Sequence, residues 1–154
     1  MKKLFCLILA LSLVLSLAAC GGKTAAASVD VKALYESYSQ YMPEMFYPDE
    51  ATLMNFLGIS VEDCAQYQVA ICAEGLRADE VWLIEAKDQT ALENLRQLAQ
   101  TRIEAKLDET VSYAPDQYVV VEKAQVLENG LYLALFISPD VDALKAGFEA
   151  AFQK

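Results

Sequence analysis

The fold is decided by the segment from Ala124 to Ile137, which reads AQVLENGLYLALFI. Asn129-Gly130 is the dipeptide that most strongly favours a tight turn between two antiparallel strands. We therefore predict a hairpin whose strands are Ala124 to Leu127 and Leu131 to Ile137. The second strand is apolar on both of its faces, so it is predicted to lie in the middle of a sheet.

Two further strands are predicted upstream of this hairpin. Tyr67, Val69 and Ile71 alternate with Gln and Ala side chains, as in a strand with one buried face. Val81-Trp82-Leu83-Ile84 follows after a turn region. The sequence thus predicts an α+β fold with a four-stranded antiparallel sheet, helices mainly on one face, and the order α-ββ-α-ββ-α.

Capping residues bound the predicted helices. Val29 to Tyr41 has apolar residues at helical spacing, and Ser28 or Asp30 is expected to cap it. Asp88 is expected to cap the longest helix, which ends near Ser112. Two more helices are predicted, a short one from Asp49 that ends at Gly58 and a last one capped by Ser138 with Pro139 at its first position.

The N-terminus resembles that of an exported bacterial lipoprotein. Met1-Lys2-Lys3 precedes an apolar run from Leu4 to Ala19, which is shorter than the roughly 20 residues needed to span a bilayer. The run closes with Leu17-Ala18-Ala19-Cys20, which resembles the lipobox at which lipoproteins are cleaved. The resemblance implies that Cys20 carries a diacylglycerol and becomes the first residue of the mature chain. Two alternatives stay open, an ordinary secretory signal cut after Ala19 and an uncut membrane helix.

These features divide the chain into three parts. Residues 1–19 are predicted to be a lipoprotein signal peptide, residues 20–28 the lipidated Cys20 and a flexible tether, and residues 29–154 a single α+β domain. A tether of this length and composition spans about 16 Å root-mean-square. We therefore expect the domain to be lipid-anchored at the extracytoplasmic face of the cell membrane, with the lipid on Cys20 as its contact with the bilayer.

The charge of the chain limits its partners. The net charge is −10, and removal of Lys2 and Lys3 with the signal leaves 10 basic against 22 acidic side chains, a net charge of −12. A domain this acidic is repelled by nucleic acid and by anionic lipid, so we exclude both as ligands of the protein surface. A protein or small-molecule partner remains open.

The residue types also limit the chemistry. The chain has no histidine, which excludes Ser-His and Cys-His pairs and His-ligated metals. Acidic clusters such as Asp79-Glu80 are interpreted as helix caps and solvated turns, since they lack the spacing of a calcium loop. Cys64 and Cys72 would lie about 26 Å apart on one strand, so two free thiols are expected. We predict no catalytic residue, no metal and no cofactor.

Two aromatic segments are the candidates for a partner surface. The first contains Met45, Phe46 and Tyr47, and flexible Met with rigid aromatic rings suits an adaptable binding surface. The second is interpreted as a loop after the longest helix and contains Tyr113 and Tyr118. The structural alternative is that the first segment wraps over the sheet edge and that the two Tyr rings pack on the core.

Part of the sequence is similar to a known family. Tyr113-Ala114-Pro115-Asp116-Gln117-Tyr118, and Gly130-Leu131-Tyr132 running to Ile137-Ser138, together with the lipobox, resemble a family of small Gram-positive lipoproteins classed only as a domain of unknown function. The likeness covers roughly Val29 to Lys154. It implies location and domain extent, and it brings no activity, cofactor or catalytic residue.

Three function hypotheses follow. The first is a lipid-anchored, extracytoplasmic, non-catalytic binding or interaction domain. The second is a membrane-tethered hydrolase that acts on cell-wall material through carboxylates, which a close pair of buried acidic residues in a cleft would favour. The third is a small-ligand receptor accessory to a transporter.

Overall fold

A computed structural model describes residues 28–153, so the predicted signal peptide, Cys20 and nearly all of the tether lie outside the described residues. The described chain is α+β with a five-stranded antiparallel sheet in the order β1-β2-β3-β5-β4. The strands are β1 (Met45–Phe46), β2 (Cys64–Cys72), β3 (Glu80–Ala86), β4 (Gln125–Asn129) and β5 (Tyr132–Ile137). The helices are α1 (Val31–Glu36), α2 (Glu50–Thr52), α3 (Gln89–Tyr113), α4 (Pro115–Val121) and α5 (Val141–Ala151), with a π-helical turn at Leu53–Leu57 and 3-10 turns at Ser39–Tyr41 and Val61–Asp63.

The predicted hairpin is confirmed. β4 and β5 pair antiparallel from Asn129 opposite Tyr132, so the turn residues are Gly130 and Leu131, one position later than the predicted Asn129-Gly130. Gly130 takes the left-handed conformation, with φ of 61°, that the first position of such a turn requires. Every residue of β5 is buried, and the strand lies between β3 and β4. The prediction of a central position from two apolar faces is therefore correct.

The sheet has one strand more than predicted. β1 pairs with the end of β2, where Met45 lies opposite Cys72 and Phe46 opposite Ile71. The prediction of four strands is wrong because a strand of two residues is too short to show a periodic pattern. The aromatic segment that contains it does lie over the sheet edge, as a short edge strand.

Helices cover both faces of the sheet. α3 packs on one face, against Trp82 and Ile84. α1 and α5 pack on the other face, against Val81 and Leu83. The prediction that helices lie mainly on one face is wrong, because four consecutive apolar residues in β3 give both of its faces a surface that must be buried.

Most helix starts lie where the capping residues predict them, but the first helix is shorter than the predicted Val29 to Tyr41, since α1 ends at Glu36 and a separate 3-10 turn follows at Ser39–Tyr41. The Asp30 carboxylate accepts hydrogen bonds from the N–H groups of α1, and the Asp88 carboxylate accepts one from the first turn of α3. Gly58 ends the π-helical turn with φ of 74°. The last helix differs from the prediction, since it begins at Val141 with Asp140 as its N-cap, and Pro139 lies before it. The Ser138 hydroxyl accepts a hydrogen bond from the Asp140 N–H.

The two thiols behave as predicted. Cys64 and Cys72 lie at opposite ends of β2 and both are free. No helix within residues 28–153 is long and apolar enough to cross a membrane.

Candidate functional site

A surface cleft of about 180 Å³ lies on the α3 face, beside the connection between β2 and β3. Three large side chains at its rim are exposed to solvent, Phe56 at 62%, Leu76 at 73% and Tyr113 at 79%. They come from three separate elements, the π-helical turn, the β2–β3 connection and the end of α3. We call this feature the aromatic cleft, defined by Phe56, Leu76 and Tyr113.

Phe46 lies beside the aromatic cleft. It is opposite Ile71 in the sheet, so both side chains point to the same face. Ile71 lines the cleft, and Phe46 is about half exposed. The structure therefore brings Phe46 and Tyr113, which the sequence places in separate candidate segments, to one surface.

The wall of the cleft contains a buried ionic cluster. The Glu80 carboxylate is fully buried and accepts hydrogen bonds from Arg102 Nε and Nη2 at 2.8–3.0 Å. Trp82 Nε1 donates to the same carboxylate at 2.8 Å, and Lys106 Nζ lies 3.8 Å from it. Several donors therefore satisfy one buried anion, which is the arrangement that makes such burial tolerable.

Arg102 also connects this cluster to the rim. Its guanidinium lies over the ring of Phe56, with 4.9 Å between the guanidinium carbon and the ring centroid. Cation–π contacts of this geometry stabilise both groups. Phe56 is therefore held in place by a buried ion pair, although most of its surface faces water.

A second ion pair borders the cleft. Asp79 is buried, and the Arg77 guanidinium donates to it at 3.0 and 3.3 Å. This contact raises the pKa of Arg77 above its ordinary value, because the carboxylate stabilises the charged guanidinium. Just before Asp79, the Ala78 N–H donates to the Gln117 side chain of α4. The interpretation of Asp79 and Glu80 as caps and solvated turns is wrong, since both are buried and ion-paired.

The remaining candidate residues lie elsewhere. Met45 packs on the face that carries α1 and α5. Tyr47 lines a different groove, of about 520 Å³, along the edge of β2. The Tyr47 ring meets Tyr35 edge-on, with 6.0 Å between centroids; burial and the Tyr47 hydroxyl raise the pKa of Tyr35 above its ordinary value. Tyr118 is half-buried in α4 and does not line the aromatic cleft.

The expected loop from Tyr113 to Tyr118 is largely helical. Pro115 starts α4, a position where its missing N–H costs no hydrogen bond. Tyr113 ends the preceding helix and points outward. The two rings are consequently not neighbours in one loop, and only Tyr113 belongs to the cleft.

Sequence reasoning missed most of the cleft. The missed residues are Phe56, Leu76, Arg77, Arg102 and Lys106. One signal for two of them exists in α3, where the buried stripe through Leu95 and Ala99 continues with polar residues at helical spacing. A stripe that turns from apolar to charged while it stays on the core side indicates buried ion pairs.

Within residues 28–153 there is no group of three or more Cys, Asp or Glu side chains arranged to hold a metal ion. The two buried acids beside the cleft, Asp79 and Glu80, are paired with guanidinium groups.

The fold and the cleft define a small α+β domain with a surface of exposed aromatic side chains over a buried ionic cluster. The chain belongs to the DUF4358 family, a domain of unknown function, whose model matches residues 36–138, about two thirds of the chain. The residues that build the aromatic cleft all lie inside the matched region. Neither the curated proteins nor the solved structures gave a match.

Proposed function

We propose that the protein is a lipid-anchored, extracytoplasmic, non-catalytic binding domain and that the aromatic cleft is its partner surface. The observation that carries the proposal is the exposure of Phe56, Leu76 and Tyr113 around one cleft. Large apolar side chains that cluster at a surface mark interaction sites more often than isolated ones do.

The composition of the surface supports a protein partner. Aromatic residues and Arg are the types enriched at interface hot spots, and here Arg77 adds a half-exposed guanidinium to the rim. The cleft, at about 180 Å³, is smaller than the roughly 300–1,000 Å³ of typical small-molecule sites. It suits one or two inserted side chains of a protein better than an enclosed ligand.

The ion pairs of the cleft give less support to a carboxylate hydrolase. The Asp79 and Glu80 carboxylates each accept hydrogen bonds from a guanidinium group, Arg77 and Arg102 respectively, and neither residue lines the cleft. The two acids are also consecutive residues, Asp79 directly before β3 and Glu80 at its start, so their side chains point in opposite directions.

The anchor rests on the sequence Leu17-Ala18-Ala19-Cys20 and on where the domain begins. The Val29 N–H donates to the Tyr132 hydroxyl at 3.1 Å, which fixes the start of the described chain to β5. From Cys20 to Ser28 a fully extended chain reaches about 30 Å. A partner of the domain must therefore lie close to the membrane surface.

The partner surface is tested by photo-crosslinking in membranes. The photoreactive residue p-benzoylphenylalanine replaces Tyr113, and in a control variant it replaces Val119, which is half-exposed on α4 outside the cleft. We expect a discrete crosslinked species from position 113 and not from position 119, and we expect Phe56→Ser to abolish it. Identical band patterns from both positions, or a pattern that Phe56→Ser leaves unchanged, contradict the proposal.

The anchor is tested separately by metabolic labelling with a fatty-acid probe. Wild type should be labelled and recovered with membranes, and Cys20→Ser should be unlabelled. Label in the Cys20→Ser protein, or none in wild type, contradicts the lipid anchor. The crosslinking result then still tests the partner surface, because it does not depend on the lipid.

A further inference from the structure

The backbone N–H and C=O groups of successive β2 residues point alternately towards β3 and towards the side where β1 lies. The Cys72 N–H donates to the Asp79 carbonyl on the β3 side at 2.8 Å, and the Ala73 N–H donates to the Glu44 carbonyl on the β1 side at 2.9 Å. Because successive residues of a strand turn their N–H and C=O groups to opposite sides, even-numbered residues of β2 face β3 over this region. Odd-numbered residues face the side of β1.

β1 covers only the end of that side. Its pairing stops at Phe46, opposite Ile71. Tyr67 and Val69 turn their backbone groups to the same side, and within residues 28–153 those groups have no backbone partner there. β2 therefore has an open edge beyond the reach of β1.

Between Gln66 and Ala70 this edge lacks the features that keep exposed edges from pairing. Natural edge strands are protected by charged residues, prolines or bulges along the edge. From Cys64 to Cys72 the sequence CAQYQVAIC contains neither a charged residue nor a proline. At the opposite edge, β4 carries Glu128, which lies 3.7 Å from Arg96 of α3. The contrast indicates that β2 is the edge suited to strand pairing.

The open stretch is short and has defined ends. The groove of about 520 Å³ runs along it. β1 closes one end at Ile71, and a register shift between Cys64 and Gln66 interrupts the strand at the other. The free stretch is consequently Gln66 to Ala70, and Gln68 is its centre.

We propose that this edge pairs with the same edge of a second copy of the chain, antiparallel about a two-fold axis at Gln68. In this register Tyr67 lies opposite the partner's Val69, and Val69 lies opposite the partner's Tyr67. Both residues turn their backbone groups outward, so each of these two pairs exchanges two hydrogen bonds. The two sheets then form one continuous antiparallel sheet.

The chemistry of the stretch fits a second copy. A two-fold axis brings a residue close to its own equivalent, and like charges in that position are destabilising. The chain has a net charge of −10, yet the free stretch is neutral. At the axis, the Gln68 amide has both donors and an acceptor, so two copies of it can bond to each other.

The tether fits the same arrangement, and this step rests on the proposed lipid anchor. An axis perpendicular to the sheet leaves the face that carries α1 pointing the same way in both copies. The described chain enters α1 from Ser28, so both anchors lie on one side and reach one membrane. Pairing of five residues buries less than the about 1,200 Å² typical of stable complexes, and a shared membrane raises the effective concentration that a weak contact needs.

The proposal is tested by disulfide crosslinking of the full chain in membranes. In a Cys64→Ser, Cys72→Ser background, Gln68→Cys places two thiols at a directly opposed, non-hydrogen-bonded position, with Cα atoms about 4.5 Å apart and within disulfide reach. Gln66→Cys lies on the same strand and face, but the two copies of residue 66 are about 13 Å apart. Gln125→Cys is the matched variant at the opposite edge, also half-buried.

Under mild oxidation we expect Gln68→Cys to form a homodimer about tenfold faster than either control variant, because only its thiols are held opposed. Equal rates for the three variants overturn the pairing, as does crosslinking of Gln68→Cys only to a protein of different mass. The background variant, which retains Cys20, separates the two proposals. If it forms a disulfide dimer by itself, the Cys20 thiol is not acylated and the anchor fails, whereas the comparison of residues 66, 68 and 125 still decides the pairing.

Discussion

The buried cluster at Glu80 gives the sharpest prediction about stability. The carboxylate is fully buried and accepts three hydrogen bonds from Arg102 and one from Trp82. Glu80→Gln keeps the size of the side chain and removes its charge, so that Arg102 and Lys106, whose side chains are only 13% and 9% exposed, lose their counter-ion. Breaking one partner of a buried ion pair costs about 3–5 kcal/mol.

The measurement is urea unfolding at equilibrium. Trp82 is the single tryptophan of the chain and is fully buried, so its fluorescence reports the transition; circular dichroism is followed in parallel because residue 80 contacts the indole. With a urea dependence of about 2 kcal/mol per molar, the midpoint of Glu80→Gln should fall by about 2 M.

Two further variants make this prediction specific. Combining Arg102→Met with Glu80→Gln should cost clearly less than the sum of the two single substitutions, because neither charge is then left facing an uncharged partner. Glu93→Gln removes the acid of an exposed pair with Arg96 and should change the midpoint little. Additive costs in the cycle, or equal effects of Glu80→Gln and Glu93→Gln, would refute the reasoning.

Two other predictions concern the Cys64 thiol and the close approach of Gly147 to the ring of Tyr38. Burial raises the pKa of Cys64 to about 11 from an ordinary value of 9.0, so its thiolate forms only at high pH, and alkylation at pH 8 should be about 100-fold slower than in urea-unfolded protein. Peptide mass mapping over a pH series measures the alkylation rate of Cys64. A fast reaction whose rate does not change above pH 8 contradicts the prediction. Gly147→Ala places a methyl group 2.6 Å from the ring of buried Tyr38, so we expect a loss of about 1–3 kcal/mol in the free energy of unfolding. Gly75→Ala, whose methyl group meets nothing within 4 Å, should be near neutral, and equal effects of the two substitutions would show that the close approach is not the cause.

The parts of the fold that the sequence predicts are those that local chemistry determines. Gly130 fixes a turn, and Asp30, Asp88 and Gly58 mark helix ends through bonds and angles within a few residues of themselves. Each of these signals depends on the residues beside it, which the sequence displays directly.

The features that were missed depend on residues distant in sequence. Glu80 is separated from Arg102 by 22 positions, and no local pattern shows that a long helix will bring them together. β1 forms because β2 offers it a partner, and its own two residues carry no period. The helices on both faces of the sheet are different, because the sequence does indicate them: the consecutive apolar residues from Val81 to Ile84 exclude a strand with one solvent-exposed face.

The candidate surface was predicted in part for the same reason. Phe46 and Tyr113 were selected as exposed aromatic residues, and the sheet register together with the end of α3 brings them near one cleft. The sequence does not indicate that Phe56 and Leu76 belong to a binding surface, since single apolar residues in turns are common on protein surfaces. Only the tertiary structure makes them neighbours.

The modification of Cys20 determines both the proposed location of the protein and the distance from the membrane that the cleft can reach. The direct measurement is the intact mass of the mature protein isolated from membranes, with sequencing of its first peptide. We predict a chain that begins at Cys20 and carries a diacylglycerol on the sulfur. A chain that retains Met1, or one that begins with an unmodified Cys20, would contradict the account.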